Sequence, residues 1–77
     1  MNANRRKRIE DIINILSEQL SSLEEVRDEE QEAYDNLPEG IQNSERGEAM
    51  SEAAYDLDSA YSDLENVIDS LQDIIDR

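Results

Sequence analysis

The sequence predicts an all-α protein: a coiled-coil-like, antiparallel two-helix hairpin that pairs with a second copy as a four-helix bundle. Apolar residues recur at the a, d and e positions of a heptad in two long stretches. A segment that contains the only proline separates the two stretches. Because a chain of 77 residues makes one domain (1–77) with little volume for a core, association with a second copy is expected.

The first helix is predicted over about residues 5–36, with Asn4 as a candidate N-cap. When Ile9 takes position a, ten of the thirteen a, d and e positions are apolar. The exceptions are Gln19, Arg27 and Glu30. Polar residues within such a stripe set register and orientation, which is the structural interpretation of Gln19 and Glu30. A functional buried carboxylate at Glu30 is the alternative.

The second helix is predicted over about residues 45–76, capped by Asn43 or Ser44. When Leu57 takes position a, all twelve a, d and e positions between Met50 and Ile75 are apolar. The residues between them are mostly Asp, Glu, Ser, Asn and Gln. This helix therefore has one apolar side and a strongly negative outer side.

The hinge is predicted over about residues 37–44. Pro38 cannot continue a helix and biases Leu37 away from helical geometry, and Gly40 permits a positive φ. Ile41 is expected to cover the end of the apolar stripe. Arg46, at a d position beside Leu37, is expected to extend its side chain to water or to bind hinge carbonyls.

The register that best matches the two helices places every a position opposite a d position. This register leaves the e positions and Ile15 half exposed, and a second copy would cover them. The predicted oligomer interface is Ile13, Ile15, Leu20, Tyr61, Ile68 and Ile75.

Charge is the second main feature: 21 acidic residues against 7 basic ones give a net charge of −14. Four of the basic residues lie together from Arg5 to Arg8, so the chain from Ile9 onward carries −18. Such a surface repels nucleic acid and anionic membranes and attracts basic proteins. The hairpin would place Arg5 to Arg8 beside Asp69, Asp73 and Asp76 as an electrostatic clamp; a site for an anionic partner is the alternative.

An enzyme is not expected, because the chain has no His and no Cys, the most versatile bases, nucleophiles and metal ligands. No cofactor or metal is expected either. No apolar run exceeds three residues, which excludes a membrane span, and a cytoplasmic protein is the expected setting.

The acidic outer side of the second helix is the candidate partner-binding surface. Aspartate predominates there although glutamate is the better helix former, and its short side chain holds the carboxylate near the backbone. The predicted partner-binding residues are Glu52, Tyr55, Asp56, Asp58, Asp63, Glu65, Asp69 and Asp73. A surface that serves only solubility is the plain alternative.

The hinge reads Asn-Leu-Pro-Glu-Gly-Ile-Gln from Asn36 and Ser-Glu-Arg-Gly from Ser44. This segment, together with the basic start and the amphipathic heptads, resembles a family of small uncharacterised acidic helical-hairpin proteins of bacteria and phages. The resemblance covers nearly the whole chain, but only the hinge is distinctive. It implies a phage or prophage context, hence the cytoplasm of a host cell, and no activity.

Two functions are compatible with the sequence. The first is a non-enzymatic protein-binding module whose acidic side binds a basic, nucleic-acid-binding protein, in concrete form a phage nucleic-acid mimic that inhibits a defence or repair nuclease. The second is a structural or assembly module that oligomerises through its apolar stripe.

Overall fold

The computed structural model describes residues 1–77 as two long antiparallel α-helices joined by a short helical turn. Helix α1 spans Ala3–Asp35, α2 spans Glu39–Gln42 and α3 spans Glu45–Ile75. The hairpin measures 58 × 15 × 13 Å and contains no strand. The predicted all-α hairpin is confirmed. We call the end that carries both termini the open end and the opposite end the hinge end.

The helix starts are fixed by side-chain caps. The Asn2 side chain accepts a hydrogen bond from the Arg5 backbone N–H at 2.8 Å, so α1 begins two residues earlier than the Asn4 cap would place it. The Ser44 hydroxyl accepts from the Gly47 N–H at 3.4 Å and starts α3, as one of the two candidate caps.

The hinge closes differently from the prediction. Its glycine Gly40 has no positive φ, because the segment after Pro38 forms the turn α2. Ile41 remains 40 % exposed, so it does not cover the end of the apolar stripe. Arg46 is exposed, in agreement with the expectation that its side chain extends to water, and its side chain forms no hydrogen bond to the hinge carbonyls.

Gln42 performs the function expected of Arg46. Its side-chain amide donates to the carbonyl oxygens of Tyr34 at 3.1 Å and Asp35 at 3.4 Å. These carbonyls belong to the last turn of α1, where the regular helix hydrogen bonds end; Tyr34 O also accepts from the Leu37 N–H at 3.1 Å. The hinge therefore returns to cap the helix that it follows.

Gly47 is buried where the hinge packs against the first turn of α3. A Cβ atom at this position would collide with the main-chain oxygens of Ile41 and Gln42. Glycine at this position thus allows the hinge and α3 to approach closely.

The interface between α1 and α3, which we call the seam, uses the a and e positions. The non-exposed seam residues are Arg6, Ile9, Ile13, Leu16, Leu20, Leu23, Arg27, Glu30 and Tyr34 in α1, and Gly47, Met50, Ala54, Leu57, Tyr61, Leu64, Ile68, Leu71 and Ile75 in α3. Ile13 and Ala54, at 8 % and 4 % exposure, are the most buried side chains. The predicted register of a against d is therefore wrong.

Side-chain size explains the difference. In α3 the e positions from Ala54 onward are Ala, Tyr, Ile and Ile, whereas the d positions from Ala53 onward are Ala, Ala, Val and Ile. Turning the a and e positions inward thus removes more apolar area from water than turning a and d inward. As a result the e-position residues predicted to bind a second copy, Ile13, Leu20, Tyr61, Ile68 and Ile75, lie within the hairpin.

Candidate partner-binding surfaces

The predicted acidic surface occupies the outer half of α3. Its residues take heptad positions b, c, f and g, which surround the side of the helix away from the seam, and all are exposed. We call the set Glu52, Tyr55, Asp56, Asp58, Asp63, Glu65, Asp69 and Asp73 the α3 acidic surface. It curves around the helix rather than forming one plane, so a partner would contact only part of it at a time.

Asp58 differs from the other members because it is paired with α1. Arg27 Nη1 lies 3.1 Å from Asp58 Oδ1 and forms the single salt bridge between the two long helices. The Arg27 side chain is only 24 % exposed, and its guanidinium lies 4.8 Å from the centre of the Tyr61 ring. The Arg27 guanidinium also donates hydrogen bonds to Asp28 Oδ1, which raise the pKa of Arg27 above its ordinary value, so this side chain stays charged. Asp58 therefore joins the helices more than it offers charge to a partner.

Tyr61 lies beside this pair and connects the helices again. Its hydroxyl donates a hydrogen bond to Glu24 Oε2 at 3.4 Å. Partial burial, followed by the negative charges of Glu24 and Glu65, raises the Tyr61 pKa above its ordinary value. Sequence reasoning identified Arg27 as a break in the stripe but missed its contacts with Tyr61 and Asp58.

Tyr55 is the most exposed of the large hydrophobic side chains, at 72 %. It borders an open cleft between the helices whose wall includes Arg27, Gln31, Ser51 and Ala54. An exposed aromatic ring beside a cleft suits the anchoring position predicted for it.

Most of the negative charge is unpaired within the chain. Only three of the 21 carboxylates, those of Asp11, Asp28 and Asp58, form salt bridges. The other eighteen have no cationic partner within the chain, although Glu24, Asp35 and Asp76 accept hydrogen bonds from Tyr61, Gln31 and Gln72. The mutual repulsion of these unpaired charges is relieved by water, salt or a partner.

The basic cluster does not clamp the last turns of α3. Arg6 Nη2 donates to the main-chain oxygen of Arg77 at 2.9 Å, and Lys7 pairs with Asp11 within its own helix at 2.9 Å. No salt bridge links the cluster to Asp69, Asp73 or Asp76. Arg5 and Arg8 instead border a shallow apolar depression with Met1, Ile9 and Ile12. The clamp prediction is wrong because the helices rotate to use the a and e positions.

The same rotation leaves an apolar face that the sequence reasoning placed in the core. We call the d positions the d row: Ile12, Gln19, Val26 and Ala33 in α1, and Ala53, Ala60, Val67 and Ile74 in α3. Ile12, Val26 and Val67 are 48 %, 49 % and 49 % exposed, whereas Ile74 near the open end is half-buried. Ile15, of the predicted oligomer interface, borders the row and is exposed as well. The larger side chains at the e positions were the signal that could have revealed this face.

No group of three or more carboxylates lies close enough together to hold a metal ion. Neither long helix has an apolar stretch of the length needed to cross a membrane. Comparison of the chain with protein-family models, with curated proteins and with solved structures gave no match.

Proposed function

We propose that this chain is a non-enzymatic binding module that uses the α3 acidic surface to bind a basic, nucleic-acid-binding protein. The observation that carries the proposal is the exposure of the carboxylates along the hairpin. Only three of the 21 carboxylates in the chain have a cationic partner within it. In its concrete form the protein is phage-encoded and inhibits a host defence or repair nuclease in the host cytoplasm by occupying its nucleic-acid site. The hinge resemblance supports the phage context.

The charge density favours a particular kind of site. A net charge of −14 over a length of 58 Å corresponds to one negative charge per ~4 Å. A single nucleic-acid strand carries one charge per about 3.4 Å and a duplex one per about 1.7 Å. The hairpin thus resembles one strand in charge density, and a groove that follows a single backbone is the expected target.

The geometry of α3 supports the same target. Its helix is straight enough to present carboxylates from Glu52 to Asp73 over about 31 Å at 1.5 Å per residue. Tyr55 adds an aromatic ring at the hinge end of this array, where it can stack or pack as a base would. Because the contacts are mainly electrostatic, the affinity should fall steeply as salt is raised.

The test is capture of partners from host lysate, with two variants of equal charge. Glu52→Gln, Asp69→Asn and Asp73→Asn together neutralise three carboxylates of the α3 acidic surface. The control, Glu18→Gln, Glu25→Gln and Glu32→Gln, neutralises three carboxylates on the outer side of α1. The wild type should retain a DNA- or RNA-binding protein at low salt, and the α3 variant should lose far more of it than the control. Equal loss in both variants, or capture of no such protein, would contradict the proposal.

The second candidate is an assembly module that acts through its apolar surface, with acids that serve solubility. The exposed d row is the observation that favours it. Full biological function in the α3 variant would support this alternative over the first.

A further inference from the structure

The d rows of α1 and α3 lie on the same side of the hairpin. In each helix the d positions are about 80° from the centre of an a/e seam. Because the two helices are antiparallel, the d positions of both helices lie on the same face of the hairpin. The face spans the length of the hairpin and carries no carboxylate between its terminal arginines, Arg5 and Arg46, although the chain has 21.

The hairpin exposes more surface than a compact monomer of its mass. Its accessible surface is 5645 Å² for 8.8 kDa. Folded monomers of that mass expose about 4,800 Å². The excess, about 850 Å², is close to the roughly 800 Å² that each partner buries in a stable protein–protein interface.

We propose that a second copy of this chain covers the d row, with the two hairpins packed face to face and their hinge ends at opposite ends. The result is a four-helix bundle in which α1 lies against α1 and α3 against α3 of the second copy. This inference does not depend on binding by the α3 acidic surface.

Side-chain size selects this arrangement. The large d residues, Ile12 and Ile74, lie near the open end, and the small ones, Ala33 and Ala53, lie near the hinge end. With hinge ends opposed, Ile12 meets Ala33, Ile74 meets Ala53, and likewise Val67 meets Ala60 and Val26 meets Gln19 of the second copy. With hinge ends together, isoleucine would meet isoleucine and alanine would meet alanine, which leaves a gap at one end.

A twofold axis relates the two hairpins of the proposed dimer, and the residue pairs of both helices place this axis at nearly the same height. The α1 pairs place it between Ser22 and Leu23, and the α3 pairs place it between Asp63 and Leu64. These positions lie at nearly the same height, because Glu24 contacts Tyr61 across the seam only one turn or less away. One rigid hairpin can therefore satisfy both sets of pairs at once.

Charge at the edge of the face selects the same arrangement. With hinge ends together, the g positions would oppose Arg8 to Arg77 and Glu29 to Asp56 of the second copy, which are like charges at both ends. With hinge ends opposed, Arg8 faces Asn36 of the second copy and Asp56 faces its Ser70. The only facing pair of like charges is Asp63 with Asp63 of the second copy, and it lies at the edge in contact with water. The basic open end also comes beside the acidic hinge end.

Sedimentation of matched variants tests the interface. Val26→Glu places a carboxylate in the d row, and Tyr55→Glu makes the same kind of change on the outer side of α3. Glutamate is a better helix former than either residue, so both variants should keep the helical circular dichroism of the wild type. We expect dimers of the wild type and of Tyr55→Glu at micromolar concentration, and monomers of Val26→Glu. A monomeric wild type, or a dimeric Val26→Glu, would overturn the proposal.

Disulfide trapping tests the direction, since the chain has no cysteine of its own. The double variant Ile12→Cys, Ala33→Cys cannot close within one chain, because its cysteines are about 31 Å apart along one helix. We expect it to form covalent dimers on mild oxidation, while each single variant stays uncrosslinked. Crosslinking instead between Ile12→Cys and Ile74→Cys chains in a mixture would show that the hinge ends lie together and would refute the proposed arrangement.

Discussion

The seam and the d row run side by side along the same two helices, and they differ in what they carry. The seam holds large aliphatic side chains at the open end and Arg27, Tyr61 and Gly47 toward the hinge. The d row holds mainly alanine and valine and ends in arginine at each helix start. The hairpin thus uses two columns of a stripe three positions wide, and the third column stays largely exposed, where we propose that a second copy binds.

The largest effect of this difference is expected at Gly47, where the seam reaches the hinge. Gly47→Ala should lower the free energy of unfolding by about 1–3 kcal/mol, because the new methyl group collides with main-chain oxygens. Alanine would otherwise stabilise a helix by about 1 kcal/mol, so the sign of the change is diagnostic.

Gly40→Ala is the matched control for urea denaturation. A Cβ at Gly40 has no atom within 4 Å, and the φ is not positive. Alanine there should be neutral or stabilising by up to about 1 kcal/mol. If both alanine variants behave alike, the hinge does not pack on α3 as described.

A smaller effect is expected from Arg27, the charged residue of the seam. Arg27→Met retains the stem but loses the contacts to Asp58 and to the Tyr61 ring. The melting temperature should fall, and by more than in Lys7→Met, whose salt bridge to Asp11 lies within one exposed helix turn. Equal shifts would show that Arg27 does not join the helices.

The smallest effect is a loss of stability at high pH that depends on Tyr61. Its pKa is raised in the folded chain by partial burial and by Glu24, above the ordinary value of about 10. The resulting stabilisation is complete below the ordinary pKa and is lost as the pH rises through the folded one. In Tyr61→Phe, the free energy of unfolding, measured by urea denaturation, should fall less between neutral and alkaline pH than it does in the wild type. An equal fall in both chains would show that other groups cause it.

The sequence sufficed for the architecture but not for the rotation of the helices. Heptad spacing and the Pro38 segment place both helices and the hinge, because periodicity and proline act locally. Which two of the three apolar columns face inward depends on side-chain sizes across the pair, as Tyr61 at an e position and Ala60 at the neighbouring d position show. The charge of the α3 acidic surface could be read from the chain, whereas the removal of Asp58 from it through Arg27 depends on a tertiary contact.

Ile12 and Ile13 test the central claim most directly, because they are identical neighbours on different surfaces. Alanine replacements of each, made in the monomeric Val26→Glu chain, can be compared by urea denaturation. Ile13→Ala should lower the free energy of unfolding by about 2–4 kcal/mol, since Ile13 is 8 % exposed in the seam. Ile12→Ala should change it by less than about 1 kcal/mol, since Ile12 faces water until a second copy covers it. Comparable losses, or a larger loss at Ile12, would show that the d positions form the seam and would contradict the account.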